Sequence, residues 1–236
     1  MALESPVWQD LKTVPFYFDY QSPYSYLGWK RMEDLRQNAS EQWQRDFLGM
    51  IDLRPVPMGT LIHSYGSKGP AEIPAKRDYL TKVWLKKLRE RNLHVTIPKL
   101  PFNYLCALRL SKVEAWSDQQ TLSVWDMVSD LFSACWERGE DIGDEEVLQH
   151  LLTQRGMERS FLDRATQKEA RRELKENVKT AQEQGVFGVP TWVVGGEIFW
   201  GDDSFEDMMN YLSGQELYDP VLYEEFNRSF RPATEN

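Results

Sequence analysis

The chain has 236 residues, and its 28 Lys and Arg against 37 Asp and Glu give a net charge of −9 at pH 7. Hydrophobic residues make up 41% and aromatic residues 13% of the chain, so the composition excludes a wholly disordered protein. The acidic balance also argues against binding to nucleic acid, because neutralising phosphates requires clustered Lys and Arg.

The first predicted elements are a strand, a helix and a second strand. Residues 14–18 form a β-branched and aromatic run that is typical of a buried strand. Ser22 and Pro23 then form a helix start, with Ser as the N-cap and Pro at the first helical position. Apolar residues at helical spacing carry this helix to about Arg36. Residues 50–53 form the second strand candidate, which two nearby prolines end.

The middle of the chain, from residue 58 to about residue 184, predicts helices only. No alternating strand pattern occurs there, whereas apolar residues recur at helical spacing in several segments. These segments are residues 80–88, 104–108, 122–136 and 147–152. A charged stretch over residues 167–184 completes the block, and Gly185 suits the position just after a helix.

Strand signals return after this helical block. Residues 191–194 and 197–200 are apolar runs on either side of Gly195 and Gly196, which predicts a β-hairpin with a two-residue turn. Ser204, with an acid three residues later, predicts the start of a final helix that ends at a glycine. The tail beyond that glycine shows no clear period.

Together these elements predict an α/β fold that is interrupted by helices. Strands at both ends of the chain are expected to share one sheet. We therefore expect residues 1–57 and 185–236 to form the sheet domain and residues 58–184 to form an inserted helical domain. The sequence contains no internal repeat and no low-complexity segment.

Three segments form a candidate ligand site at one end of the sheet. They are Ser-Pro-Tyr-Ser at residues 22–25, Gly-Val-Pro-Thr at residues 188–191 and Gly-Asp-Asp-Ser at residues 201–204. A helix N-terminus presents unpaired N–H groups and a partial positive charge, which favour an anion. Ser22 alone is explained by an ordinary N-cap, and a Val-Pro pair alone by a turn before a strand. Their combination indicates a site where a peptide-like ligand meets the backbone of Val189.

Metal binding and membrane insertion find no support in the sequence. Cys106 and Cys135 are too few for a disulfide scaffold or a four-cysteine metal site, and they do not form a Cys-x-x-Cys pair. The histidines share no ligand spacing; they are His63, His94 and His150. No signal peptide and no apolar run of about eighteen residues occur, so we expect a cytoplasmic protein with no membrane partner and no metal.

The run FYFDYQSPYSYLG at residues 16–28 resembles the opening of the DsbA-like thioredoxin-fold proteins. Within that group the chain is similar to kappa-class glutathione transferases and 2-hydroxychromene-2-carboxylate isomerases. Further similar stretches follow in order along nearly the whole chain, at residues 53–56, 73–79, 100–103, 185–190 and 199–203. The resemblance implies a thioredoxin-like sheet with a large all-helical insertion, and relatives that are often homodimers.

The resemblance also implies a role for Ser22. Redox members of the thioredoxin fold carry Cys-x-x-Cys at the place of residues 22–25, and dithiol exchange needs a protein thiolate, so this site is excluded from that chemistry. In the glutathione-dependent relatives, the serine instead helps to hold the thiolate of bound glutathione. A helix N-terminus can lower a thiol pKa from about 8.5 to roughly 3.5–7.5, which agrees with this role.

Further glutathione contacts are implied by the same matches. The backbone of Val189, just before Pro190, matches the residue that pairs with the cysteine of glutathione. Asp203 matches the acid that grips the γ-glutamyl end, where a carboxylate suits an ammonium group. Asp202, also assigned to this element, stands where the family has Ser or Gln, and Ser204 stands where Arg is common.

Other candidate residues come from the helical block. Residues 68–99 hold nine Lys and Arg against three Asp and Glu, most of which suit a solvated helix face. Lys76 matches a family lysine that faces the active site, so it could attract a carboxylate of glutathione or substrate. Ser67 and Val83 stand where the family often has Asn and an acid. Asn103 follows Pro-Phe and could either contact the substrate or cap the next helix.

Several aromatic residues could line a cleft for a small aromatic or hydrophobic acid. They are Tyr24, Tyr26, Tyr65, Trp84 and Phe187. We take Tyr24, with Asn103 and Ser67, as the candidate substrate contacts. For each aromatic residue the alternative is a place in the hydrophobic core.

The leading hypothesis is a glutathione-dependent isomerase of the 2-hydroxychromene-2-carboxylate type, active in aromatic compound catabolism. In it a glutathione thiolate adds to an activated double bond, the resulting single bond rotates, and elimination returns glutathione unchanged. One alternative is a kappa-like glutathione transferase or peroxidase, which consumes glutathione at the same site. Another is a non-catalytic thioredoxin-fold binding module, and a disulfide oxidoreductase is disfavoured by the missing dithiol.

Overall fold

Strands from both ends of the chain form a single sheet. The computed structural model describes residues 11–100, 103–112 and 124–230. The strands are β1 (Val14–Phe18), β2 (Ile51–Pro55), β3 (Thr191–Val194) and β4 (Glu197–Trp200). They lie in the order β2-β1-β3-β4, with β1 parallel to β2 and antiparallel to β3, and β3 antiparallel to β4. The shared sheet and the two-glycine hairpin are confirmed.

Helices make up most of the remaining described chain, and none of those described is both long and apolar enough to cross a membrane. They are α1 (Pro23–Asn38), α2 (Gln42–Met50), α3 (Met58–Ser64), α4 (Pro74–Glu90), α5 (Leu105–Leu110), α6 (Val124–Phe132), α7 (Glu145–Gln154), α8 (Ser160–Ala165), α9 (Lys168–Glu183), α10 (Phe205–Leu212) and α11 (Pro220–Phe230). Short 3₁₀ turns cover Pro70–Glu72 and Asp202–Ser204.

Outside the helical block, two helices lie where the apolar pattern predicts none. Helix α2 buries only Phe47, and α11 in the tail exposes large apolar side chains such as Val221, Leu222 and Tyr223. Helix α11 follows α10 in the chain. The prediction that α10 is the final helix is therefore wrong.

Two further boundaries differ from the prediction. Strand β2 starts at Ile51, since α2 runs to Met50, and it includes Pro55. A proline fits there because β2 is at the edge of the sheet. The helix predicted over residues 122–136 is divided into α6 and a π-helical turn at Ser133–Glu137, while residues 122 and 123 lie outside the described chain.

The core on one face of the sheet continues into the helical block. Phe16 of β1 stacks on Trp192 of β3, with ring centroids 4.8 Å apart, and on Trp29 of α1 at 6.4 Å. Phe132 of α6 then packs on Trp29 and on Phe18, each with ring centroids 5.8 Å apart. Because these rings belong to one buried cluster, the sheet and the helical block share a single hydrophobic core.

The opposite face of the sheet is covered by α9. Val178 and Ala181 of this helix pack with Tyr17 of β1 and Val193 of β3 in a second, smaller cluster. Helix α9 thus belongs to the layers around the sheet, although it precedes residue 185 in the chain. The proposed domain boundary at that residue stays a prediction.

Candidate active site

The ends of two strands bring the first two predicted segments together. Tyr17 of β1 is paired with Thr191 of β3, which runs in the opposite direction. The chain therefore leaves β1 and enters β3 at the same end of the sheet. Helix α1 passes close to this end, because a Cβ built on Gly28 would lie 3.3 Å from Cγ of Pro190. Ser22, which precedes α1, and Val189 are consequently at the same end of the molecule.

Ser22 is the N-cap of α1. Its Oγ accepts a hydrogen bond from the backbone N–H of Ser25 at 3.1 Å, and Pro23 occupies the first helical position. The residue is 3% exposed. Within the described chain no acceptor receives a hydrogen bond from the Ser22 hydroxyl. This hydroxyl can therefore donate a hydrogen bond to an anion placed beside the helix N-terminus.

The segment before β3 presents backbone groups next to this helix. The Val189–Pro190 peptide bond is cis, and the carbonyl of Pro190 accepts a hydrogen bond from Gly201 N at 2.8 Å. Neither the N–H nor the C=O of Val189 has a partner among residues 11–100, 103–112 and 124–230. Those two groups can therefore pair with an extended, peptide-like ligand.

The two adjacent aspartates of the third segment have different environments. Asp202 is buried, and its carboxylate is 2.9 Å from Arg31 Nε, 2.9 Å from Lys87 Nζ and 3.4 Å from a terminal nitrogen of Arg91. Its expected contact with glutathione is not supported by this geometry, because three cations already surround the carboxylate. Asp203 is different: its side chain is 76% exposed and it lies 2.6 Å from Lys87 Nζ.

Lys87 is a cation beside the third segment that the sequence pattern does not single out. It lies on α4, and it places a cation from the helical block beside Asp203. Burial disfavours the charged ammonium, but the hydrogen bonds from Lys87 to Asp203 and Asp202 outweigh burial and raise its pKa. No local signal separates this lysine from the other basic residues of residues 68–99, because its partners are more than a hundred residues away.

Helix α4 also packs on the first turn of α1. The hydroxyl of Tyr24 donates to the carbonyl of Leu80 at 2.9 Å, and Trp84 Nε1 donates to the carbonyl of Pro23 at 3.1 Å. Tyr24 is half-buried next to Ser22, so its ring can border a bound ligand. Its hydroxyl, however, is already used in holding the two helices together.

The other candidates from the helical block lie on its surface. Lys76 is exposed in the first turn of α4, and Ser67 is exposed in the loop before it. Asn103 is also exposed, and it does not cap α5, whose N-cap is Tyr104 without a side-chain bond. No contact within the described part of the chain joins Lys76, Ser67 or Asn103 to Ser22, so their ligand roles stay predictions.

The aromatic candidates divide between core and surface. Tyr26 and Trp84 are buried in the main core, so for these two residues the alternative of a place in the hydrophobic core holds. Phe187 is half-exposed and packs edge-on against Trp200, with ring centroids 5.0 Å apart. The indole of Trp200 covers Gly188, where a Cβ would lie 2.7 Å from its Nε1. This pair gives an apolar surface beside the predicted ligand segment.

The two cysteines of the chain are poor nucleophiles. Cys135 is buried in the core, and burial raises its pKa strongly. Burial also raises the pKa of Cys106, although the charge of Arg109 opposes this. Because the thiolate is the reactive form, a thiolate at Ser22 has to come from a bound molecule. Among the described residues, no group of three or more His, Cys, Asp and Glu could hold a metal ion.

The chain is similar to known proteins along most of its length. Residues 13–213 match the family described as the DSBA-like thioredoxin domain. The 2-hydroxychromene-2-carboxylate isomerase of Pseudomonas sp. (strain C18) is 31% identical over 206 residues, which cover 85% of this chain and 90% of that protein. Glutathione S-transferase kappa 1 of Rattus norvegicus is 25% identical over 226 residues, which cover 89% of this chain and 94% of that protein.

A solved structure gives the same result for the fold. The structure of a selenomethionine-containing 2-hydroxychromene-2-carboxylate isomerase superposes with a TM-score of 0.72 at 21% identity. The match covers 93% of this chain and 100% of that one. At this identity the likeness establishes the thioredoxin-like fold with its helical insertion, and the activity needs the argument from the site.

Proposed function

Because the chain belongs to the family of 2-hydroxychromene-2-carboxylate isomerases and kappa-class glutathione transferases, within the DSBA-like thioredoxin domains, we propose that it is a glutathione-dependent isomerase. Its proposed substrate is a small unsaturated acid derived from an aromatic compound. The observation that carries the proposal is the Ser22 hydroxyl at the N-terminus of α1, at the same end of the sheet as the unpaired backbone of Val189. A homodimer stays a prediction from the resemblance, and a cytoplasmic location stays a prediction from the sequence.

The residues at the site fit glutathione. The tripeptide has a backbone that can pair with Val189 in the way a strand pairs with its neighbour. Its γ-glutamyl end carries both an ammonium and a carboxylate group. Asp203 is negatively charged and its side chain is 76% exposed, so it suits the ammonium. The thiol would then lie between Ser22 and Val189.

When bound, glutathione would supply a thiolate that adds to the double bond, permits rotation and leaves again. The Ser22 hydroxyl donates a hydrogen bond to the sulfur, and the partial positive charge at the N-terminus of α1 adds to the stabilisation of the anion. Both interactions favour the thiolate over the thiol near neutral pH. The half-exposed rings of Phe187 and Trp200 offer an apolar surface for the rest of the substrate. The protein thus contributes orientation and electrostatic stabilisation.

The test is turnover of 2-hydroxychromene-2-carboxylate by the purified protein with and without glutathione. We expect almost no isomerisation without glutathione, and we expect Ser22→Ala to lower kcat by more than about tenfold, since one preorganised donor to a developing charge is lost. Ser213→Ala, which changes an exposed serine at the end of α10, is the matched control and should keep the activity. Full activity in the absence of any thiol would reject the mechanism.

The second candidate function is a kappa-like glutathione transferase or peroxidase. It is favoured by the 25% identity to glutathione S-transferase kappa 1 of Rattus norvegicus, and it would use the same residues. The two functions differ in stoichiometry, because an isomerase returns glutathione and a transferase consumes it. Counting free thiols during turnover separates them. If calorimetric titration gives no heat with glutathione, the chain is instead a binding module of the same fold.

A further inference from the structure

Asp19 is a buried carboxylate at the start of the turn that leads to Ser22. It follows β1, three residues ahead of Ser22, and it is fully buried. Its Oδ1 accepts the backbone N–H of Gln21 at 2.8 Å, and its Oδ2 accepts the backbone N–H of Met58 at 2.6 Å. Gln21 is the residue next to Ser22, and Met58 is the first residue of α3. The carboxylate thus joins the turn over residues 19–22, which we call the Ser22 turn, to α3, the first helix after β2.

Further hydrogen bonds from the main chain and to the serine hydroxyls link Asp19, Ser22 and Ser25. The N–H of Ser22 donates to the carbonyl of Asp19 at 3.1 Å. The N–H of Asp19 donates to Oγ of Ser25 at 3.4 Å, and the N–H of Ser25 donates to Oγ of Ser22 at 3.1 Å. A change in the position of Asp19 is therefore transmitted to the Ser22 hydroxyl through hydrogen bonds on both sides.

A carboxylate at this place is costly, which argues for a specific role. Its third hydrogen bond comes from the Tyr104 side chain, and no cation pairs with Asp19 within the described chain. The titratable groups near it are Tyr104, Tyr20 and Cys135, none of which is a cation. Burial raises the pKa of Asp19 to about 7, against the hydrogen bonds from Met58, Gln21 and Tyr104. A buried acid of this kind persists where its oxygens are needed.

Only a carboxylate meets the geometry. Each oxygen of Asp19 faces a different backbone N–H group, and an ionised carboxylate accepts on both oxygens. An asparagine has one acceptor oxygen, and its NH₂ group would face either the N–H of Gln21 or that of Met58. It would leave one buried donor without an acceptor.

We propose that Asp19 is a positioning residue for Ser22, which fixes the Ser22 turn against the start of α3 through its two carboxylate oxygens. The catalytic consequence of this role rests on the function proposed above. Its structural consequence does not, and the test therefore measures both.

The first measurement is hydrogen–deuterium exchange at single amides. Asp19→Ala and Asp19→Asn are compared with the control Asn177→Ala. Asn177 is also buried, and its side-chain amide donates a hydrogen bond to the backbone carbonyl of Pro55, so the control likewise removes a buried side chain that holds the main chain. We expect the Asp19 variants to speed exchange at the amides of Ser22 and Ser25 by at least about tenfold, because the turn opens locally. Asn177→Ala should leave these two amides unchanged. Unchanged exchange in a folded Asp19→Asn protein would overturn the inference, whatever the activity.

The second measurement is steady-state kinetics with glutathione. A misplaced Ser22 should lower kcat by about tenfold or more in Asp19→Asn, since displacement by about 1 Å can cost a hundredfold. The KM for the acid substrate should change less than about threefold, and both kcat and KM of Asn177→Ala should stay within about twofold of the wild type.

If wild-type turnover needs no glutathione, the proposed function fails and the exchange data still decide the role of Asp19. If turnover needs glutathione and Asp19→Asn matches the control, the positioning role fails.

Discussion

Ionisation of Asp19 should link the stability of the protein to pH. Burial raises its pKa from 3.8 to about 7. Between these values the folded protein keeps a proton that the unfolded chain has released, so stability from this group is fully present below about pH 4 and is lost as pH rises through about 7. Asp19→Asn removes this titration. The free energy of unfolding of the wild type, minus that of Asp19→Asn, should therefore fall between about pH 4 and about pH 8.

Denaturant titrations of both proteins across this pH range measure the difference. Because most other groups titrate alike in the two proteins, the subtraction isolates Asp19. A difference that does not change with pH would mean that the folded-state pKa of Asp19 is not raised.

Single residues of the site differ in how far the sequence reveals them. Ser22 could be predicted, since an N-cap followed by proline is a local pattern and the family match falls on it. Asp19 and Lys87 could not, because their partners are distant in the chain: Met58 is 39 residues from Asp19, and Asp203 is 116 residues from Lys87. Only the folded chain shows which acids and bases meet.

At the scale of elements, the contact of α1 with the segment before β3 should depend on Gly28. A Cβ at this position would lie 2.8 Å from the indole of Trp192 and 3.3 Å from Pro190, both buried. Gly28→Ala should therefore lower the free energy of unfolding by about 1–3 kcal/mol, since buried groups have to shift. It should also lower kcat/KM, because the shift moves α1 relative to Val189. Thermal or denaturant unfolding and kinetics check both effects.

Gly49→Ala provides the matched control. Gly49 lies in α2, and a Cβ there would meet no atom within 4 Å. Its replacement should be neutral or should stabilise the protein by about 0.5–1 kcal/mol, because alanine favours a helix. If both alanines have the same effect, the close approach of α1 to Trp192 and Pro190 does not limit stability.

Elements could be predicted where their signal is local or strongly periodic. The β3–β4 hairpin has two glycines between apolar runs, and those residues form its turn with positive φ at Gly195 and Gly196. Helix α2 buries only Phe47, and the capping pair of Glu41 with Gln44 is the local signal that could have revealed it. The position of α9 on the sheet could not be predicted, because only the packing of the folded chain shows that α9 covers the sheet.

At the scale of the whole molecule, the shared core should make the sheet and the helical block unfold together. Phe132 of α6 belongs to the helical block and contacts three rings of the sheet part: its ring centroid is 5.8 Å from Phe18, 4.7 Å from Tyr20 and 5.8 Å from Trp29. Phe132→Ala should lower the free energy of unfolding by about 3–5 kcal/mol, because it opens a cavity between them. Circular dichroism and tryptophan fluorescence should still report one coincident transition.

Leu222→Ala is the control for this prediction. Leu222 is exposed on α11, so its replacement should change stability by less than about 0.5 kcal/mol. Two separate transitions in the wild type, with only one of them shifted by Phe132→Ala, would show that the two parts fold independently despite their common core.

The absence of a reactive cysteine beside Ser22 changes how oxidative damage would affect this protein. A catalytic sulfur that belongs to the polypeptide is lost for good once it reaches the sulfinic or sulfonic level, and the enzyme molecule is lost with it. Under the proposed function, the vulnerable atom is delivered by a small diffusible molecule. A spoiled molecule can dissociate and an intact one can take its place, so hydrogen peroxide would inhibit turnover only until the ligand is exchanged.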